Sequence, residues 1–435
     1  MAAASRPPRG KLHYAWVVAF TTLILLLVSS STRGMYSLLI GPLMDEFGWS
    51  RSAASFPASI NILVFGLMGP FAASLMAKFG LRRVVSGALS AVAFGAMLSS
   101  QVRAPWQLAI SWGIVTGIGM GCMASILAST VASTWFVERR GQVTGLLMAA
   151  TTAGQLIFTQ LNRKLIDGNS WRYATGAVAV ATVLGLPLAI AFLRDRPEDK
   201  GLSAYGAPAG YVTPAKPGGA VKLAFTTLRS IRGSGMFWVL FGSFWVCGVT
   251  TSGLVQTHWF EATSDHGFSK LAAANLLLVV GIGDLLGSVG SGWLCDRVDP
   301  RKLLFAFYGL RGLSLFALEN VLNLGGKNIA LLAVITFYGL DWVATVPPTI
   351  ALANQLFGSQ RGGIVFGWLF AAHQLGGALA AWLAAAARDW TGSYQLSYIV
   401  GGVLCIAAAF GALGIGRKPH DFARENAPTV HPGFA

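Results

Sequence analysis

Long uncharged stretches of apolar residues recur from one end of this chain to the other, and they restrict its fold more than any other feature. Val84 to Gln101 contains no charged residue, and neither does Ala15 to Ser29. An apolar run of about 18 residues or more is long enough to cross ~30 Å of hydrocarbon as a helix. Lipid offers the backbone no hydrogen-bond partner, so such a run must satisfy its own amides and carbonyls, and a helix does this within one segment. Charged residues make up 11% of the chain, against about 25% in a soluble domain. That is too few to cover a water-facing surface. The 53 glycines then read as close helix contacts, because small residues let backbones approach where lipid supplies no hydrophobic drive.

Twelve spans are predicted. They run Tyr14–Ile40, Ala53–Lys78, Arg83–Gln101, Trp106–Phe136, Gly141–Leu165 and Trp171–Leu193, then Phe237–Phe260, Ala272–Leu294, Leu303–Leu322, Ile329–Phe357, Gly363–Ala387 and Gln395–Ile415. The sixth and seventh are separated by the one long connection, which is rich in Pro, Gly, Lys and Arg, a linker composition. The expected organisation is a six-helix bundle over 14–193, a cytoplasmic linker over 194–235, a second six-helix bundle over 236–416 and a cytoplasmic tail over 417–435. The basic residues sort by side. With the N-terminus inside, 22 of the 32 lysines and arginines fall on the inner segments and eight on the outer ones, leaving Arg33 and Arg311 within spans. This asymmetry predicts cytoplasmic termini and a plasma membrane (bacterial inner membrane) location. It also removes the nucleic-acid reading that a net charge of +15 invites. The first apolar run exceeds a signal-peptide core and no small-residue cleavage site follows it, so it is expected to remain as a span.

The chain repeats itself at half its length. Gly141, Gly145, Ala149, Ala150 and Gly154 return as Gly363, Gly367, Ala371, Ala372 and Gly376, at a constant offset of 222. Leu75, Lys78, Arg82 and Arg83 return as Leu294, Arg297, Arg301 and Lys302. Parallel repeats of this kind place a solute site near the midplane, between the halves. Enzymatic and cofactor motifs are not found: there is no phosphate-binding P-loop, and Gly117-Ile-Gly-Met-Gly121 sits in an apolar helix with no strand before it. No His/Cys group has metal-ligand spacing. The four cysteines fall in or at the end of apolar runs and read as free thiols. No enzyme, cofactor or metal is expected.

Several stretches resemble one family. Gly292-Trp-Leu-Cys-Asp-Arg-Val-Asp-Pro-Arg-Lys302 resembles the loop motif of the major facilitator superfamily between its eighth and ninth helices. Ala73-Ser-Leu-Met-Ala-Lys-Phe-Gly-Leu-Arg-Arg83 is similar to the equivalent loop between helices 2 and 3, with Ala77 where the motif has Asp and Ala73 where it has Gly. Trp135-Phe-Val-Glu-Arg-Arg140, followed by Gly145, resembles a signature of the monocarboxylate-porter branch, whose bacterial relatives include oxalate/formate exchangers. Arg33 and the following Pro42-Leu-Met-Asp-Glu-Phe-Gly-Trp-Ser-Arg51 resemble that branch's first helix, which carries a functional cation. The resemblance implies an all-α membrane protein of twelve helices in two pseudo-symmetric six-helix bundles, and a monomer. It also implies a cytoplasmic gate in which Asp296 and Arg297 face Arg139 and Arg140. The branch often carries an arginine on its eighth helix, where this chain has only Asp284.

Ionisable residues inside spans cost roughly 2.5–3.5 kcal/mol each on insertion scales, so they mark function or pairing. Arg33 is the expected anion ligand, because a guanidinium matches a carboxylate in a fork; the bland reading is a snorkelling or paired arginine. Asp284, near mid-depth, is the first candidate proton carrier, since burial favours a neutral carboxyl; the alternative is a salt bridge to a cation such as Arg33. Arg311 and Asp341 lie at similar depth on consecutive helices and read as a structural ion pair, with Asp341 a third choice for the proton. His373 is the second choice and also a candidate ligand: its repeat partner is Thr151, so symmetry alone would not place a histidine there. Against this stands a hydrogen-bonded packing histidine. His258 is a candidate ligand at an outer gate, and Asn61 and Gln155 are candidates that equally suit helix-to-helix hydrogen bonds. Pro347-Pro348 is expected to break the tenth span.

The expected function is secondary active transport of a small organic anion, a monocarboxylate, with a proton, by alternating access. An uncoupled carboxylate exchanger is the first alternative and a drug or metabolite exporter of the same superfamily the second. Exporters tend to carry Gly-x-x-x-Gly-Pro on the fifth helix, and Gly154-Gln-Leu-Ile-Phe158 lacks the proline.

Overall fold

The computed structural model describes residues 13–123, 125–208, 220–295, 297–325 and 328–416. Helices dominate it. In chain order they are α1 Tyr14–Phe47, α2 Arg51–Phe79, α3 Leu81–Ser99, α4 Pro105–Trp135, α5 Arg140–Gly168, α6 Trp171–Phe192, the short α7 Ala220–Ile231, α8 Gly235–Asp265, α9 Lys270–Cys295, α10 Pro300–Asn323, α11 Ile329–Phe357, α12 Ser359–Thr391 and α13 Gln395–Leu413. Ten of the twelve longer helices contain a stretch apolar enough to cross a bilayer. The other two, α5 and α10, are 29 and 24 residues long but carry more polar side chains. The chain is an all-α membrane protein.

Local chemistry sets the helix ends. Ser50, Asp299 and Asn328 accept a backbone N–H of the first turn of α2, α10 and α11, at 3.2, 3.0 and 2.7 Å. Such caps satisfy donors that a helix start leaves open. Gly48, Gly80 and Gly392 follow α1, α2 and α12 with φ of +65°, +89° and +82°, where a Cβ is strained. The tenth span is interrupted at residues 342–345, just ahead of Pro347 and Pro348. Proline has no N–H and clashes with the preceding turn, so carbonyls there lose their helical partners. Neighbouring helices take them up. Ser291 on α9 donates to the Ala344 carbonyl at 2.5 Å, and Arg311 on α10 donates to the carbonyls of Asp341 and Trp342.

Buried apolar residues collect in separate clusters. One draws on residues 231–415 plus Leu38 alone. Two others draw only on residues 15–193. Between them runs a seam in which α2 packs along α12. Gly66 is required there, because a Cβ on it would overlap the Gln374 side chain. Gly287 does the same for α9 against the Leu340 carbonyl of α11. Large apolar side chains such as Phe94, Leu184, Val289 and Phe410 point outward, which suits a lipid-facing surface. Several helices outrun their apolar segments: α1 continues to Phe47 and α12 to Thr391, where ion pairs hold the polar ends.

Candidate substrate site and end clasp

Within α1, Ser29, Ser30 and Thr32 turn their hydroxyls back onto backbone carbonyls: Ser29 and Ser30 onto Leu26, at 3.1 and 2.7 Å, and Thr32 onto Ser29 at 2.7 Å. Such bonds compete with the helical ladder, and the helix narrows to a 3-10 turn over Ser30–Thr32. Arg33 follows directly. Its guanidinium lies 4.9 Å from the centroid of the Phe65 ring on α2. A small cavity there is lined by Ser29, Ser30, Arg33, Phe65, Met120, Met123 and Thr151. Among the described residues no carboxylate lies within 4.0 Å of Arg33, and no protein oxygen accepts from its guanidinium; its backbone N–H donates to the Ser30 carbonyl at 3.1 Å. The phenyl face is a weak partner for a cation, so Arg33 is held in place without being neutralised.

A line of rings leads from this cavity across the seam. Phe65 meets Phe370 of α12 at 6.3 Å, edge to face. Phe370 in turn stacks on His373 at 5.9 Å with 7° between planes. His373 approaches the Thr251 hydroxyl at 3.4 Å through Nε2, and its Nδ1 has no hydrogen-bond partner among the described residues. Arg33 and His373 thus lie at the two ends of one aromatic row, while Thr151, the repeat partner of His373, lines the Arg33 cavity. Gln155 sits one turn beyond Thr151 on α5, where its Cγ is 3.7 Å from the Cβ position of Gly34.

The other expected residues are placed elsewhere. Asn61 donates to the Trp112 carbonyl at 2.7 Å, tying α2 to α4, and does not line the cavity. His258 is buried, with Nε2 2.8 Å from the Ala381 carbonyl and Nδ1 3.2 Å from the Tyr394 hydroxyl. Its ring is used between helices, and it is not among the residues that line the Arg33 cavity. Asp284 accepts from Ser288, one turn on, at 3.1 Å; no ion pair joins it to Arg33 among the described residues. Arg311 and Asp341 meet at 2.6 Å, fully enclosed. Arg311 also reaches Cys247 Sγ at 3.1 Å, and one oxygen of Asp341 is left without a hydrogen-bond partner. At the end near the central connection, Arg139 precedes α5 with a positive φ, and Arg297 lies over the Trp293 ring at 4.1 Å. Asp296 lies outside the described residues, as does the side chain of Arg140.

At the opposite end, a set of contacts that the sequence reading did not anticipate joins the two sides of the seam. Arg51, opening α2, pairs with Glu261 at 2.9 Å and with Asp265 at 3.5 Å, both on α8. The backbone N–H of Ser52 donates to Asp389 on α12 at 2.9 Å. Arg388 pairs with Asp265 at 2.7 Å, and Arg51 lies 5.8 Å from the centroid of the Tyr394 ring. Lys270 and Asp167 add a contact at 3.8 Å between α9 and α5. One signal for this clasp stands in the sequence: Glu261, Asp265 and Asp389 end two helices of the second half, while Arg51 begins one of the first.

Among the described residues, twelve long helices packed about a seam, with a cation in an interior cavity and ion pairs across one end, make a polytopic membrane protein. The sequence profile of the Major Facilitator Superfamily matches residues 22–381 and, separately, 258–431. The chain belongs to that superfamily, and its resemblance to monocarboxylate transporters covers nearly its whole length. It is 27% identical to Monocarboxylate transporter 13 of Rattus norvegicus over 436 residues, covering 98% of this chain and 94% of that one. It is 23% identical to the uncharacterized MFS-type transporter YcxA of Bacillus subtilis over 390 residues, covering 88% and 90%. The fold matches the crystal structure of a D-xylose-proton symporter with a TM-score of 0.69 at 18% identity, over 92% of this chain and 97% of that one.

Proposed function

We propose that this transporter carries a small organic monoanion, a monocarboxylate, and that Arg33 binds its carboxylate. One observation carries the reading: Arg33 is an interior guanidinium with no counter-charge among the described residues, set in a cavity with three hydroxyls and three apolar side chains. The second interior arginine, Arg311, is already neutralised by Asp341. One uncompensated positive charge suits one negative charge. A dianion would leave a charge unpaired in a low-dielectric site, which is costly. Phe65, Met120 and Met123 suit an apolar body, and Ser29, Ser30 and Thr151 line the same cavity with hydroxyls that can turn from the Leu26 and Met148 carbonyls to donate to the head group. The relationship to proteins named monocarboxylate transporters supports the same class.

The cycle we infer is alternating access, with the halves 14–193 and 236–416 rocking about the seam, the clasp at Arg51 closing the outer mouth, and both termini in the cytoplasm. A proton accompanies the anion. An inside-negative potential opposes anion uptake by ~2.3 kcal/mol per charge per 100 mV, and a co-transported proton makes the cycle electroneutral. Asp284 is the first candidate for carrying it, with His373 and then Asp341 behind. The direct test is a thermal-shift screen of the purified protein against short mono- and dicarboxylates, followed by uptake in vesicles. Stabilisation by monocarboxylates but not by dicarboxylates is expected, together with uptake driven by an inward proton gradient. Selective stabilisation by dicarboxylates would overturn the charge argument, and counterflow that ignores the proton gradient would make the protein an exchanger.

A further inference from the structure

The short helix α7 belongs to none of the twelve spans, yet it is docked against two of them. Ala224, Thr227 and Ile231 are buried and Leu228 half-buried, one turn apart along a single face, and this face packs on α2 and α12. Trp368 of α12 donates its indole N–H to the Ala224 carbonyl at 3.1 Å and meets the Phe225 ring at 5.6 Å. The position of Trp368 decides where α7 sits. Along α12, residues 7, 11 and 14 places further on share its face, and these are Leu375, Leu379 and Trp382, each more than 40% exposed. That face is the outer flank of the bundle, where lipid lies. Trp368 is nine residues from the start of α12, about 14 Å along the axis. Its side chain leans back toward that start, so α7 lies level with the helix ends, against the outer flank rather than in the mouth of the central cavity.

The free sides of α7 have two characters. Leu223 and Phe225, on its two flanks, are 45% and 52% exposed. Lys222 and Arg229, seven residues apart, share the face turned away from the bundle, and Arg232 follows just beyond the end; all three are exposed. From Ala220 to Ser234 there is no aspartate or glutamate. None of the three cations has an ion-pair partner among the described residues.

We propose that α7 is an interfacial helix that holds anionic phospholipid headgroups on Lys222, Arg229 and Arg232, with Phe225, on the flank that meets Trp368, at the acyl boundary. A helix lying in the bilayer surface shows this division into an apolar side and a cationic side, and it gains from anionic lipid through the charges it presents. Because α7 rests on both α2 and α12, the lipid that it holds also strengthens the contact across the seam. The inference rests on the membrane embedding of the transporter and not on the identity of its anion.

The test uses the full chain, with no carboxylate present, in vesicles of phosphatidylcholine alone and of phosphatidylcholine with about one-third phosphatidylglycerol. The expected result is an unfolding midpoint several degrees higher with phosphatidylglycerol. The variant Lys222→Gln/Arg229→Gln/Arg232→Gln is expected to lose more than half of that rise, whereas Arg103→Gln, an exposed cation elsewhere, keeps all of it. Native mass spectrometry of the same proteins should show fewer retained phosphatidylglycerol molecules on the triple variant. An undiminished rise in the triple variant, equal lipid retention, or the same stabilisation by inorganic phosphate in detergent overturns the proposal. If the triple variant fails to fold, Lys222→Gln/Arg229→Gln takes its place, with half the loss expected and an undiminished rise again decisive. A failure of Arg33 to bind any anion would leave all of these measurements unchanged.

Discussion

Arg51 is where one substitution should move the whole conformational equilibrium. Its side chain is 11% exposed, and its guanidinium sits between Glu261 at 2.9 Å and Asp265 at 3.5 Å, bridging α2 to α8. Fully exposed ion pairs contribute about 0–1 kcal/mol each, whereas pairs truncated when buried cost about 3–5 kcal/mol. Partial exposure and the second cation, Arg388 on Asp265, place Arg51→Ala between these limits, at about 1.5–3 kcal/mol lost from the clasped end. At about 1.4 kcal/mol per tenfold, the open-to-closed ratio rises by roughly 10- to 150-fold. The assay is labelling by a membrane-impermeant thiol reagent of a cysteine placed at Thr151, which lines the Arg33 cavity, after Cys122, Cys247, Cys295 and Cys405 are replaced. In intact cells the Arg51→Ala background should label faster by a factor in that range. Glu261→Ala leaves the Arg51–Asp265 pair in place and should give a smaller increase, and the double variant little more than Arg51→Ala alone, since the Arg51–Glu261 contact is already lost there. Equal labelling rates with and without Arg51 would refute the clasp as an element that holds the outer mouth shut.

Other outcomes follow from the site. Arg33→Ala should weaken binding of the carboxylate by about 2–5 kcal/mol, roughly 30-fold to several thousandfold in Kd, with a smaller loss for Arg33→Lys; unchanged affinity by isothermal titration would return Arg33 to a structural role. Asp284→Asn should retain counterflow exchange but lose uphill, proton-driven uptake in vesicles. If it still accumulates substrate as the parent does, the proton rides elsewhere and His373→Gln is the next variant. Arg311→Ala leaves Asp341 enclosed without its partner and should lower stability by about 3–5 kcal/mol, read as a fall in the unfolding midpoint; a midpoint equal to the parent's would contradict the pair's structural weight. A cysteine at Ser264 should react with an impermeant reagent from outside the cell, and one at Gly218 only after permeabilisation.

Much of the architecture is legible in one dimension because lipid is an unforgiving solvent. A segment either buries a continuous apolar helix or does not enter, so spans, their number and the half-length repeat can be read from Val84–Gln101, from Gly141 and Gly363, and from the paired loops at Lys78–Arg83 and Arg297–Lys302. Depth is legible as well: Arg311 and Asp341 occur at matching positions on consecutive spans, and the folded chain brings them to 2.6 Å. The break before Pro347 likewise follows from the missing N–H of proline. The resemblance pointed to the superfamily for similar reasons, through loops whose charges and glycines stand at fixed spacing.

What one dimension does not contain is the rotation of each helix about its own axis and its register against a helix far away in sequence. Those two quantities decide whether a polar side chain meets an empty cavity or a carbonyl. They turned His258 toward Ala381 and Tyr394, and Asn61 toward Trp112. The same rotation set the unneutralised guanidinium of Arg33 over Phe65. They also brought Arg51 to Glu261 across 210 residues of chain and laid α7 on the flank of α12. The apolar pattern and the charge asymmetry are properties of each segment alone against lipid and water, so the sequence is enough to establish spans, repeat and membrane class. The Arg33 cavity, the clasp and the docked helix arise from pairs of segments, and the contacts that create them exist only once the helices have packed.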